Sequence, residues 1–105
     1  MTPIVITIGD VEFRGGTPAE NLAAVDAAES ECREIQGRAD AVWEMAAAEF
    51  RRWEGSHPAA PPPDRVEARR RLMEPGRLAR SAALAAWDSL YSAILPPGAF
   101  DAPQA

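Results

Sequence analysis

A thiol and an imidazole, Cys32 and His57, are each present once in this sequence and are the residue types most readily turned to nucleophilic chemistry. Paired, they would make a nucleophile and its base. Cys32 nevertheless falls on an apolar helical seam, where thiols are inert. His57 lies beside Pro58, with no neighbouring cysteine or second histidine to share a metal ion. Asp26, Glu29 and Glu34 place paired carboxylates on one stretch of helix, but no ligand from elsewhere joins them, and they read as a solvated face. Gly15-Gly16 lacks the spacing and the following lysine of a phosphate loop. The expectation is a protein that is not an enzyme and holds no cofactor or metal.

The charges are unevenly distributed. Residues 1–50 hold ten acidic and three basic side chains, net −7, while residues 51–80 hold four acidic and eight basic ones, net +4, within a total of −5. All eleven cations are arginine. Arg65, Arg69, Arg70 and Arg71 form the one cationic cluster, which could grip phosphates or an acidic partner. Glu67 with Arg71, and Arg70 with Glu74, stand four residues apart and predict ion pairs lacing an exposed helix. No aromatic residues interleave with these arginines as a single-strand binder requires. With the net negative charge, this disfavours direct nucleic-acid binding. Conversely, the acidic residues Glu29, Glu31 and Glu34 raise the alternative of an inhibitor that imitates nucleic acid and occupies the nucleic-acid site of a target. Arg33 and Arg38 interrupt that acidic run.

A chain of 105 residues reads as one domain. Much of its 47% hydrophobic content is alanine, as in Ala46-Ala47-Ala48. Alanine favours helix but buries little area, so the core must rest on a few large side chains. Small domains bury a smaller share of their surface, which makes partnering with another protein or with itself a reasonable expectation. The single cysteine excludes an intrachain disulfide. No stretch approaches the ~18 apolar residues of a membrane span. The start shows no basic segment followed by a long apolar run. These features predict a cytoplasmic protein without membrane contact, with a virion location or non-classical export left open.

Positioning any of these residues falls to three elements. Residues 3–14 alternate apolar and polar positions around Gly9-Asp10 and predict a β-hairpin with a two-residue turn, glycine supplying the positive φ. That turn sets Ile8 opposite Val11 and Ile6 opposite Phe13, with Ile4, Ile6, Ile8, Val11 and Phe13 on one face. Thr17-Pro18-Ala19-Glu20 is a capping box that opens a helix predicted over residues 17–54. Val25, Ala28, Cys32, Ile35, Ala39, Val42, Ala46 and Trp53 fall on alternating steps of three and four, a heptad-like seam widened by Leu22, Met45 and Phe50. Gly37 marks a kink or a close approach by another helix. Residues 55–63 contain four prolines and predict an extended linker, spanning about 28 Å at ~3.1 Å per residue. Asp64 then caps a short helix over Arg65–Met73, Pro75-Gly76 interrupts it, and a second helix runs to Leu95 with Leu84, Trp87, Leu90 or Tyr91, and Ile94 as its stripe. Residues 96–105 read as a disordered tail.

Two short stretches carry family resemblances. Trp53-Glu54-Gly55, near mid-chain and just after a long helix, resembles the Trp-x-Gly turn of the WXG100 family. That resemblance implies a helical hairpin exported by type VII secretion. The sequence departs from the pattern in its long proline linker, in Leu95 where an acid should follow Tyr91 by four residues, and in its opening β-hairpin. Trp53 therefore reads as the end of the seam and Gly55 as a left-handed helix C-cap. The opening strand, Ile6-Thr7-Ile8-Gly9 followed by helices, is similar to small phage accessory proteins of tail assembly and head completion.

The fold expected is mainly α, in the α+β class: an N-terminal β-hairpin, a long helix and a broken antiparallel second arm forming a helical hairpin. The function expected is non-enzymatic protein–protein interaction or assembly through the helical seam and the hairpin edge. Ile6, Phe13, Ile35, Val42, Trp53, Trp87 and Tyr91 are the candidate interaction residues. Glu29, Glu31, Glu34, Arg65, Arg69 and Arg70 are the candidate charged surface. The partner is another protein or a second copy of the chain.

Overall fold

The computed structural model describes residues 3–95. Strands β1 (Val5–Ile8) and β2 (Val11–Arg14) form an antiparallel hairpin, followed by helices α1 (Pro18–Ser56) and α2 (Pro62–Ile94). This is an α+β helical hairpin. Contacts divide the chain into two units, to which both helices contribute. Among the described residues, one joins 3–33 with 85–95, and the other is Glu34–Leu84.

In the first unit the hairpin has the register its turn requires, with Ile6 opposite Phe13 and Ile8 opposite Val11. Gly9 takes φ 62°, the only positive φ among the described residues. Ile6 and Ile8 are fully buried, whereas Val11, beside the turn, stays 41% exposed. The strand base is tied to α1 at Asn21, whose Oδ1 accepts from the Ile4 amide at 3.3 Å, while the Gly15 amide donates to the Ile4 carbonyl at 2.9 Å. A side chain at Gly15 would place its Cβ 2.7 Å from the Asn21 Cα, so the chain can enter the helix here only without one. The capping box forms in both directions, with the Glu20 amide on Thr17 Oγ1 at 3.2 Å and the Thr17 amide on Glu20 Oε1 at 2.9 Å. Ala24, Ala28, Cys32, Ala86 and Leu90 complete this unit's core.

In the second unit α1 and α2 run antiparallel, bringing Trp43 to Gly76 and Asp40 to Arg80. Its fully buried apolar side chains are Ala39, Ala46, Ala68 and Ala83, all alanine. Ile35, Val42, Trp43, Leu72 and Met73 are half-buried at the flanks. The seam predicted along α1 therefore faces inward in both units, with Ala28, Cys32, Ala39 and Ala46 as its most buried members.

Several expectations are corrected. The second arm is one continuous helix with Pro75 inside it, not two helices broken at Pro75-Gly76. Proline removes one backbone hydrogen bond and crowds the carbonyl four residues back, a cost that α2 bears without ending. The close approach lies at Gly76, where an added Cβ would stand 3.0 Å from the Trp43 Cα, and not at exposed Gly37, where it would meet nothing within 4 Å. The proline segment is a tight turn of residues 57–61 instead of an extended linker, because α1 continues to Ser56 and α2 starts at Pro62. Gly55 stays helical, and His57 closes the helix instead: its amide bonds the Glu54 carbonyl at 3.2 Å, and its ring stacks on Trp53 at 4.4 Å between centroids. The first intrahelical bonds of α2 run from the Asp64 and Arg65 amides to the Pro61 carbonyl, so Asp64 is a first-turn acid and not the cap. On α2 the buried line is Ala68, Gly76, Ala83, Ala86 and Leu90, while Leu84, assigned to the stripe from spacing, is 66% exposed. Residues 96–105 lie outside the described residues.

Substitution at the two mid-helix glycines separates their roles. Gly37→Ala adds no contact and raises stability by about 0.5–1 kcal/mol through helix propensity. Gly76→Leu must push α1 from α2 at Trp43 and lowers stability by about 1–3 kcal/mol. Urea unfolding of both variants checks this, and an unchanged midpoint for Gly76→Leu would show that the helices do not need to meet there.

Candidate interaction surface

The second unit turns one face of α2 and one aromatic ring of α1 into a shared groove. Helical spacing sets Val66, Met73 and Leu84 on one side of α2, away from the buried line. Trp43 of α1 meets this side beneath the close approach at Gly76. The Arg80 guanidinium lies 3.9 Å over the Trp43 ring, and its Nε stands 3.9 Å from Asp40 Oδ1. One arginine is thus held by a carboxylate and by the π face of a tryptophan. Trp43, Val66, Arg69, Arg70, Met73 and Arg77 line the groove, of about 410 Å³.

Its rim is charged. Arg70 pairs with Glu67 at 2.8 Å and Arg77 with Glu74 at 2.5 Å, each three residues apart. The four-residue pairings expected from spacing, Glu67 with Arg71 and Arg70 with Glu74, give way to these because the three-residue partners meet as bidentate forks. Hydrogen bonding to Arg70 holds the Glu67 carboxyl below its usual range, and hydrogen bonding to Arg77 does the same for Glu74. Arg69 has no ion-pair partner among the described residues. Val66 at the groove is 68% exposed, a large apolar side chain left in water. A second groove, lined by Val42, Met45, Ala46, Leu72 and Pro75 with Glu49, Arg52 and Arg71 at its edge, also lies in this unit. There Arg52 pairs with Glu49.

The residues singled out from sequence are scattered. Ile6 is fully buried and belongs to the core, out of a partner's reach, while Phe13 and Ile35 are half-buried. Val42 lines the second groove. Trp53 stacks between Phe50 and His57. Trp87 stacks on Tyr91 at 5.8 Å, with Tyr91 39% exposed. Glu29 pairs with Arg33, and Glu34 reaches Arg38 at 3.9 Å, so arginines one turn on partly offset the acidic face. Glu31 is half-buried. Arg65 donates to the Pro58 carbonyl at 3.2 Å and braces the turn. Of the expected set, only Arg69 and Arg70 meet in the first groove. Trp43, Val66, Met73, Arg77 and Arg80 were not singled out. The seven-residue steps from Val66 to Met73 and Arg80 are visible in the sequence, but Trp43 joins them only through the helix pairing.

Cys32 and His57 belong to different units, and each has a structural partner. His57 Nδ1 lies 2.9 Å from the Trp53 carbonyl, which can only accept, so this nitrogen carries the proton. The Cys32 thiol is buried and donates to the Ala86 carbonyl at 3.4 Å. Burial pushes its pKa up, and the charges of Glu31 and Glu29 add to the rise. Among the described residues no group of three or more histidine, cysteine, aspartate or glutamate side chains could hold a metal ion. No helix among them is long and apolar enough to cross a membrane. No protein-family model, curated protein or solved structure matches this chain.

The thiol makes a prediction in pH. A group harder to ionise when folded stabilises the fold below its unfolded pKa, about 8.5 for cysteine, and that contribution is lost as pH rises toward the folded value. The urea midpoint is expected to fall above pH ~8.5, and to fall less steeply in Cys32→Ala. Equal slopes in the two proteins, or labelling of the native thiol by iodoacetamide at the rate of a free cysteine, would put Cys32 in water.

Proposed function

We propose that the chain is a non-enzymatic protein-interaction module acting through surfaces that its own packing leaves open. The observation that carries this reading is the inverted placement of side chains in the second unit. Alanines fill its core, while Met45, Val66, Leu78 and Leu84 stand outside at 56–70% exposure. Scattered exposed leucines need no explanation. Here, however, no large side chain of the unit is fully buried, so its larger apolar side chains all keep some surface in water. Burial of each such side chain in a complex would contribute about 1.5–3 kcal/mol. The α1 seam serves α2 of the same chain, which shifts the interaction from the seam to the outer face of α2. The two-stranded sheet adds a second surface, since it ends in unpaired edges among the described residues.

Site-specific photo-crosslinking in cells tests the reading. A benzophenone side chain at Val66, at Leu84 or at Thr7 of β1 is expected to give discrete adducts, and one at Ser30 on the acidic stretch of α1 is not. An adduct at twice the chain mass would identify self-assembly. Equal, diffuse labelling from all four positions would remove the case for a dedicated interaction face.

A further inference from the structure

We infer that the groove between Trp43 and the outer face of α2 takes an acidic amphipathic helix from a partner protein, an inference that rests on the interaction reading above. Three features define the occupant. The first is charge: from Arg65 to Arg80, α2 carries six arginines against two glutamates, inside a chain of net charge −5. Carboxylates on a partner would meet Arg69, which lacks an ion-pair partner among the described residues, and would compete for exposed Arg77, now paired with Glu74. Exposed pairs of this kind contribute little and exchange readily.

The second feature is the floor. Val66 and Met73 stand one heptad apart beside the Trp43 ring, and Leu84 continues the same side of α2. Arg77 and Arg80 fall between Met73 and Leu84 on this side, so the apolar floor is the step from Val66 to Met73, about 10 Å or two helical turns. An apolar step edged by Arg69, Arg70 and Arg77 is the complement of a helix with apolar residues at i, i+4 and i+7 and acids on either side.

The third feature excludes the other occupants. A second copy docked symmetrically on this face would bring the Arg69, Arg70 and Arg77 sets of both copies onto one interface, and like charges brought together oppose association. Nucleic acid would find the Trp43 ring covered by Arg80 and closed to base stacking.

The test is fluorescence anisotropy of the full chain with a labelled acidic peptide of about 18 residues, carrying leucines at i, i+4 and i+7 and glutamates elsewhere. Binding is expected, weakening as ionic strength rises. Arg69→Glu with Arg77→Glu is expected to lower affinity at least about tenfold, and Val66→Ser to lower it with no change in salt dependence. Arg14→Glu with Arg33→Glu makes the same change in net charge in the first unit and is expected to leave affinity unchanged. Equal loss in both double variants would reduce the effect to net charge and overturn the inference. So would equal binding of a peptide with its leucines scrambled around the helix, tighter binding of an oligothymidine, or self-association reversed by the Arg69 and Arg77 substitutions. Discrete crosslinks from Val66 without peptide binding would leave the interaction reading standing and remove the acidic helix.

Discussion

The close approach of two helix backbones over small side chains governs this structure. A cysteine sulfur reaches a backbone oxygen on the other helix at 3.4 Å, and a glycine sits where a Cβ would come within 3.0 Å of a tryptophan Cα. Helices meet this closely only where neither presents a large side chain, and alanine, glycine and cysteine supply those positions along both. Such a seam gains many backbone contacts but removes little apolar area from water. Stability must come from elsewhere too: from the helix propensity of alanine, glutamate and arginine, from the Thr17–Glu20 cap, and from Ile6, Ile8 and Leu90 in the first unit.

A narrow seam leaves the larger side chains nowhere to go but its flanks and the outside. The two units differ in how they meet this constraint. In the first, the β-hairpin contributes fully buried isoleucines, and leucine and cysteine are buried there as well as alanine. The second has no such cover, and its tryptophan, valine and methionine side chains edge open grooves. Charge follows the same division. Residues 3–33 and 85–95 carry seven acids and two arginines, whereas 34–84 carry eight acids and nine arginines. The exposed apolar surface of the second unit and its arginines therefore coincide.

The cation–π contact between Arg80 and Trp43 shows how local and tertiary effects combine. An arginine over an indole gains stabilisation that depends on the two helices being in register. Asp40 adds a weak electrostatic hold from the same side as the tryptophan, one helical turn away on α1. Glu67–Arg70 and Glu74–Arg77 are by contrast intrahelical and exposed, and they would form on an isolated helix as well.

Whatever depends on neighbours in the chain was legible in the residues alone. Glycine's freedom at positive φ and the strand period determined the hairpin and its register. The capping box followed from the reach of a threonine hydroxyl and a glutamate three residues on, and the inward side of α1 from its three-and-four spacing. Tertiary structure decided the rest. Pro75 reads as a break because its local penalty is visible and the packing of flanking turns is not, yet α2 passes through it. Gly37 and Gly76 look alike in sequence, but only the pairing of α1 with α2 places one in open space and the other against Trp43. The groove was equally hidden, because Trp43 stands more than twenty residues from Val66 and meets the face of α2 only once the helices have paired. Periodicity reports which side of a helix is apolar. Which apolar side is covered depends on how closely the partner helix can approach, and that is set by side chains far away in the chain.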